Sequence, residues 1–228
     1  MARIRTRTEL SPDEVNVAAQ YCLATQDALL ATPGYVGSTT PCLSYALYFP
    51  GANAGAAAVH DRDTILAHPK LALLTYMSTE AKKRSGLARR WYNAEESYPE
   101  YKGICKPRRE ARGVQCDEYP YYATVQGGPP DADLREVLTT YNTSEGSTRG
   151  AMYNDRKCVM AVDAAGVRSH PGSTVTPFLV IPLAIETTAV VKKKTTTQYS
   201  GPRTFHICGD PRTIPGDAGG GGGVSVSS

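Results

Sequence analysis

Apolar and polar positions fall into several clear registers along the chain, and the first of them is helical. Ser11-Pro12-Asp13-Glu14 sets a capping serine, a proline at the first helical position and two acids in the first turn, all favourable at a helix start. The pattern then runs to about Leu30, turning Val15, Ala18, Tyr21 or Cys22, and Leu29 inward, before Ala31-Thr32-Pro33-Gly34 stops it. Residues 35–49, rich in Tyr, Ser and Leu with Pro41 among them, predict one or two short strands, and 50–55 the turn after them. Over 56–77 a helical period is broken at His68-Pro69 and gives way to a short apolar segment at 71–76. A further helix is expected from Ser78 to about Ala94, followed by a Pro/Gly/Arg-rich loop over 98–113.

The second half reads mainly as strands. Residues 114–118 predict a short strand, Pro129-Pro130-Asp131 a turn, and 134–141 a second strand. Asn142-Thr143-Ser144-Glu145 reads as a helix start, with Asn as the cap and Glu at the third position, the helix running to about Lys157. Strands follow at 159–162, 178–183 and 184–191. Lys192-Lys193-Lys194 with Thr195-Thr196-Thr197 is an exposed hairpin or loop, and 204–208 is a last strand. Residues 218–228, with the glycine run 219–223, read as a flexible tail. The sum is an α+β chain.

Composition changes this picture little. With 41% hydrophobic and 21% charged residues over 228 positions, the chain is an ordinary globule with room for one sizeable domain and extensions. The longest apolar run, 178–185, is interrupted by Pro182 and too short to span a bilayer, so no membrane association is expected. The start, 1–7, is charged with no apolar run behind it, so no signal peptide is read there. Export would use a removed leader or another route. Six cysteines, none in a C-x-x-C or C-x-x-H pair, argue against zinc and for up to three disulfides in an exported protein.

Charge changes the picture more. Between positions 82 and 112 there are ten Lys/Arg against four Glu, an excess of +6, which leaves −3 for the rest of a chain whose net charge is +3. Such a local excess is the footprint of a polyanion-binding surface. His60-Asp61-Arg62-Asp63 resembles a small acid/base cluster, but its place in a helix favours a solvated, salt-bridged face. His206, flanked by Phe205 and Ile207, reads as a core residue.

The chemistry converges on residues 115–128, Q-C-D-E-Y-P-Y-Y-A-T-V-Q-G-G, where adjacent carboxylates, Asp117 and Glu118, precede three tyrosines and a glycine pair. Strand, strand and helix over 114–157 make a β-β-α unit. It can set an acid on a strand opposite an amide on a helix with room for one hard cation between. Gly146 and Gly150, four apart on one helix face, ask for a reason such as close approach of a strand or of a DNA backbone. Without further context, Asp117 and Glu118 read as a turn cap with a surface ion pair, and Asn142 as an N-cap.

Cys116-Asp117-Glu118-Tyr119-Pro120, Gly127-Gly128 and the spaced Asn142, Gly146, Gly150-Ala151-Met152-Tyr153 with Arg156 resemble the NucA/NucB-type deoxyribonucleases. The similarity extends over roughly 81–183. It implies a ββα-metal (His-Me finger-like) core and a secreted, sequence-nonspecific endonuclease using Mg²⁺ or Mn²⁺. It points to Asp117 as the general base, Asn142 as the metal-holding position and Glu118 as support for the metal shell. Arg149 would steady the scissile phosphate, and Lys82, Lys83, Arg84, Arg89, Arg90 and Arg112 would bind flanking phosphates. Gln126 stands where the family commonly has Glu, next to the same nucleic-acid surface. The implied partner is DNA, with RNA left open, and an inhibitor or immunity protein if the role is that of a toxin rather than scavenging or biofilm dispersal. On this reading 1–80 is a helical and β extension packed on the core, 81–215 the nuclease domain and 216–228 the tail. A catalytically silent nucleic-acid-binding or disulfide-rich structural module is the alternative, fed by Gln126.

Overall fold

A computed structural model of the chain describes residues 12–78, 81–82, 113–128, 132–154, 158–159, 161–162, 177–191, 194–208 and 226–227. Helix α1, Pro12–Leu30, forms where its capping pattern predicts. Its buried Ala18, Cys22 and Leu29 recur at helical spacing, while Tyr21, the alternative to Cys22 on that face, is 40% exposed. Full burial of a side chain such as Leu29 is worth about 1.5–3 kcal/mol. A disulfide from Cys22 to Cys42 pins α1 to the short helix α2, Pro41–Ser44. Pro41 thus opens a helical turn rather than sitting in a strand.

The core is a five-stranded sheet assembled from distant parts of the chain. Its centre is β1, Ala46–Phe49, buried along its whole length. Continuous apolar sequence of this kind suits a strand covered on both faces. Helix α3, Gly55–Ala67, then a 3-10 turn, Pro69–Ala72, lead to β2, Leu73–Thr75, so the break expected at His68-Pro69 is there. Two strands, β3, Val114–Tyr119, and β4, Asp133–Leu138, form a separate antiparallel hairpin that runs directly into helix α4, Thr139–Asn154. Then come β5, Pro177–Val180, β6, Ile185–Val191, β7, Lys194–Ser200, and β8, Phe205–Ile207. With a last short strand, β9, Val226–Ser227, the main sheet has the order β2-β5-β1-β8-β9, with β1 and β5 parallel. Tyr48, Phe49, Leu74, Phe178, Leu179 and Phe205 fill its core. The molecule is α+β, as expected.

Three local expectations are corrected. The fourth helix begins three residues before Asn142, so Asn142 lies inside the first turns and is not the cap. The reason is register: Leu138 pairs with Val114, the first residue of β3. Beyond it the partner strand has turned away through Gly113, whose φ of +72° suits glycine, and Thr139 N–H closes on the Gly113 carbonyl at 2.8 Å. With no partner left, β4 ends and the helix starts. At the chain's end, Val226–Ser227 forms β9 on the edge of β8, where the tail was expected to stay free. An open strand edge offers unpaired N–H and C=O groups to any extended segment within reach. The glycine run itself lies outside the described residues.

The third correction concerns the helix glycines. Among the described residues, a Cβ at Gly146 would meet only Arg149 Nη2 at 3.9 Å, and one at Gly150 nothing within 4 Å, so no described strand approaches α4 there. Gly150→Ala is therefore expected to stabilise the protein by about 0.5–1 kcal/mol in urea unfolding. A loss of DNA affinity in the same variant would show that a nucleic-acid backbone docks on this helix face.

The β6–β7 hairpin is exposed along most of its length, as the Lys/Thr-rich sequence predicts, and rests on α4 through Tyr199 against Tyr141, with ring centroids 5.2 Å apart. Cys158, just after α4, is bonded to Cys208, just after β8, and Cys116 is disulfide-bonded as well. Among the described residues no cysteine is free. No helix among them is long and apolar enough to cross a membrane.

Candidate active site

The site is built where α3, the β3–β4 hairpin and α4 meet. Along β3, alternation sends Asp117 and Tyr119 inward, where both are buried, and leaves Glu118 on the other face. Glu118 there acts electrostatically on Lys82. From α3 come His60 and Asp61, both fully buried, and from α4 comes Glu145, also fully buried. Asp61, Asp117 and Glu145 converge so that one oxygen from each lies within 4.8 Å of the others. This corrects the solvated reading of the His60–Asp63 stretch. Only its second half keeps to the surface, where Asp63 pairs with Arg62 at 3.2 Å and Arg135 at 2.9 Å.

Three buried acids need compensation, and the surroundings supply part of it. His60 Nδ1 donates to Asp117 Oδ2 at 2.7 Å. Arg149 pairs with Glu145 Oε2 at 3.2 Å, and its guanidinium lies 3.7 Å from the Tyr121 ring centroid, a cation–π contact. The Tyr121 hydroxyl sits 3.1 Å from Glu145 Oε1 and closer still to Asp61 Oδ2. A phenol has one proton, so one of these two contacts requires a protonated carboxyl. Burial pushes Asp61 well above the usual carboxylate range, and the neighbouring Glu145 adds to it. Glu145 is raised too, by burial first and by Asp117 next, against the pull of Arg149. The Tyr121 phenol itself is driven up by burial and by both acids, so it stays neutral and donates.

An oxygen-only set of this kind is what a hard divalent cation takes. Asp61 Oδ1 is buried and meets no N–H or O–H donor, so the residues fit such an ion. The other cluster of ligand types, Cys158, His206 and Cys208, is different: its two sulfurs are joined in a disulfide and cannot bind as thiolates. His206 is buried in β8.

Other residues singled out in the sequence take diverse places. Asn142, one turn ahead of Glu145, donates from Nδ2 to Gln115 Oε1 at 3.2 Å and to the Cys116 carbonyl at 3.3 Å, tying α4 to β3 beside Asp117. Lys82 is buried, with Nζ on the Gly127 carbonyl, and burial lowers its pKa to about 8. Gln126 Oε1 accepts from Thr75 N–H at 3.0 Å, linking the 120s loop to β2. Gly127 allows close approach, since a Cβ there would lie 1.9 Å from the Tyr121 carbonyl oxygen. Lys83, Arg84, Arg89, Arg90 and Arg112 lie outside the described residues.

Sequence reasoning missed His60, Asp61 and Glu145 as site residues. A signal was present at α3, where Ala56, Ala57 and Ala58 precede His60 without one charged residue to mark a wet face. In α4, Glu145 and Arg149 are the only charged residues of a helix otherwise made of small, hydroxyl, aromatic and amide side chains and Met152.

Fold and site together define an α+β protein whose hairpin–helix unit and helix α3 present a buried carboxylate cluster suited to a hard cation. Residues 66–160 match the family model described as deoxyribonuclease NucA/NucB, a similarity that supports a DNA-hydrolysing enzyme. Asp117 and Glu145 fall inside the match; His60 and Asp61 precede it. No curated protein matches the chain.

Proposed function

We propose that the protein is a secreted, sequence-nonspecific endonuclease that hydrolyses DNA phosphodiester bonds with a divalent cation, Mg²⁺ or Mn²⁺. The observation that carries this reading is the buried convergence of Asp61, Asp117 and Glu145 within 4.8 Å. Asp61 and Glu145 would hold the cation, and Asp117 would act as the base. The bound ion supplies Lewis-acid polarisation of the phosphate and offsets charge as the bond breaks. Asp117 takes the proton of the attacking water, its Oδ2 being steadied by His60. Arg149, already beside Glu145, keeps a fixed positive charge next to the developing negative charge. Asn142 fixes the register of α4 on β3 and so the distance between Glu145 and Asp117. Lys83, Arg84, Arg89, Arg90 and Arg112 are assigned to flanking phosphates, which makes binding salt-sensitive. The disulfides suit an oxidising, extracellular setting.

A plasmid-nicking assay tests this. Cleavage that needs Mg²⁺ or Mn²⁺, stops in EDTA and is lost in Asp117→Ala is the expected result; EDTA-insensitive cleavage would refute the metal role. Asn142→Asp separates two roles for that residue. As a tie it needs its two N–H donors, so Asp should lower activity by about 10–100-fold, the scale of a lost supporting contact. A carboxylate that kept or raised activity would identify Asn142 as an ion ligand through its oxygen.

A further inference from the structure

We propose that His60 is a positioning residue for Asp117, and that Asp133 and Thr64 fix His60 in turn; the inference rests on Asp117 acting as the base. In the β3–β4 register Asp117 faces Arg135 and Tyr119 faces Asp133, so the two aspartates are diagonal neighbours on one face of the hairpin. Such diagonals are about 7–8 Å apart, wide enough for one side chain from another element to approach both. His60, fully buried, fills that interval from α3. Its Nδ1 is hydrogen-bonded to Asp117 Oδ2 at 2.7 Å, while its Nε2 makes no hydrogen bond and lies 3.4 Å from Asp133 Oδ2, within ion-pair distance.

Asp133 is itself held. Its Oδ1 accepts from Leu134 N–H at 2.9 Å, and its Oδ2 lies 3.0 Å from the Thr64 hydroxyl, one helical turn past His60. The consequence for Asp117 is directional. With Oδ2 bound to the imidazole, the carboxyl cannot rotate freely, and Oδ1 is left as the oxygen that would take the proton. An acid anchored through one oxygen by an oriented imidazole is a familiar supporting contact, and loss of such contacts costs about 10–100-fold in activity or ion affinity. A histidine serving only to fill the core would need neither aspartate.

The test compares wild type, Asp117→Asn, His60→Ala, His60→Asn and Asp133→Ala in steady-state cleavage of a DNA duplex with Mn²⁺. If wild type and Asp117→Asn cleave alike, the assignment of Asp117 as base fails, whatever His60 does. With Asp117→Asn inactive, His60→Ala is expected to lower kcat by about 10–100-fold with KM nearly unchanged. His60→Asn, whose amide N–H sits near the place of Nδ1, should recover most of that loss. The half-exposed Asp133 can be truncated without opening the core, so Asp133→Ala decides the matter if His60→Ala does not fold. A several-fold fall in kcat, with a shift in the His60 imidazole ¹⁵N resonances, supports the arrangement. Unchanged kcat in His60→Ala or Asp133→Ala, or an Asn variant no better than Ala, overturns it.

Discussion

Asp117→Asn is expected to lower kcat for DNA cleavage by about two to four orders of magnitude while leaving the fold intact. The size follows from the removal of a positioned proton acceptor. The intact fold follows from chemistry at the other end of the side chain. An Asn oxygen can still accept from His60 Nδ1, which lies 2.7 Å from Asp117 Oδ2, so the buried hydrogen bond is kept. Thermal unfolding and cation-induced stabilisation should therefore stay close to wild type, since Asp61 and Glu145 remain. Single-turnover cleavage of a supercoiled plasmid beside a melting curve checks both halves. Cleavage within tenfold of wild type would exclude Asp117 as the base.

The second large effect is on stability, and its sign is set by Asp61 and Glu145. Both carboxyls are held above the ordinary range in the folded protein, chiefly by burial. Below pH about 4 the folded and unfolded chains are both protonated at these groups, and their contribution to stability is fully present. As pH rises above that point the unfolded chain releases its protons first, so the ion-free protein loses stability until the folded groups ionise too. A divalent cation bound between them would reverse this by replacing the protons, and the reversal would grow with pH. At a hundredfold excess over its dissociation constant, the ion adds about 2.7 kcal/mol, or roughly 5–10 °C in Tm for a chain of this size. Asp61→Asn should flatten the pH profile in EDTA, raise Tm at pH 8 without the ion, and cut the Mn²⁺-induced shift. A wild-type Tm that rises in EDTA between pH 5 and 8 relative to Asp61→Asn would contradict the assignment.

Much of the fold was legible because local chemistry and tertiary context agree. The Ser-Pro-Asp-Glu start announces α1, the His68-Pro69 break separates α3 from β2, and Asp117 lies on the strand predicted for it. The start of α4 was misplaced because it is decided by where a partner strand runs out at Gly113, a fact no local pattern carries. The site was half legible. Asp117 follows from the motif, but His60 and Asp61 lie in an alanine-rich helix whose small side chains look the same wet or dry. Their burial comes from packing α3 against the β3–β4 hairpin and α4, segments far along the chain. Glu145 and Asn142 share a face of α4, and the cap pattern drew attention to Asn142 alone. Lys82 is cationic in sequence and buried in fact, because the Gly127 carbonyl accepts its ammonium.

The Cys158–Cys208 link, 50 residues apart in sequence, encloses β5 to β8 in one covalent ring. A protease that cuts the backbone once inside that ring opens it without releasing a fragment. Nicked molecules would then migrate as intact chains in non-reducing electrophoresis and split only after thiol treatment. A scission there is an internal scar rather than a truncation.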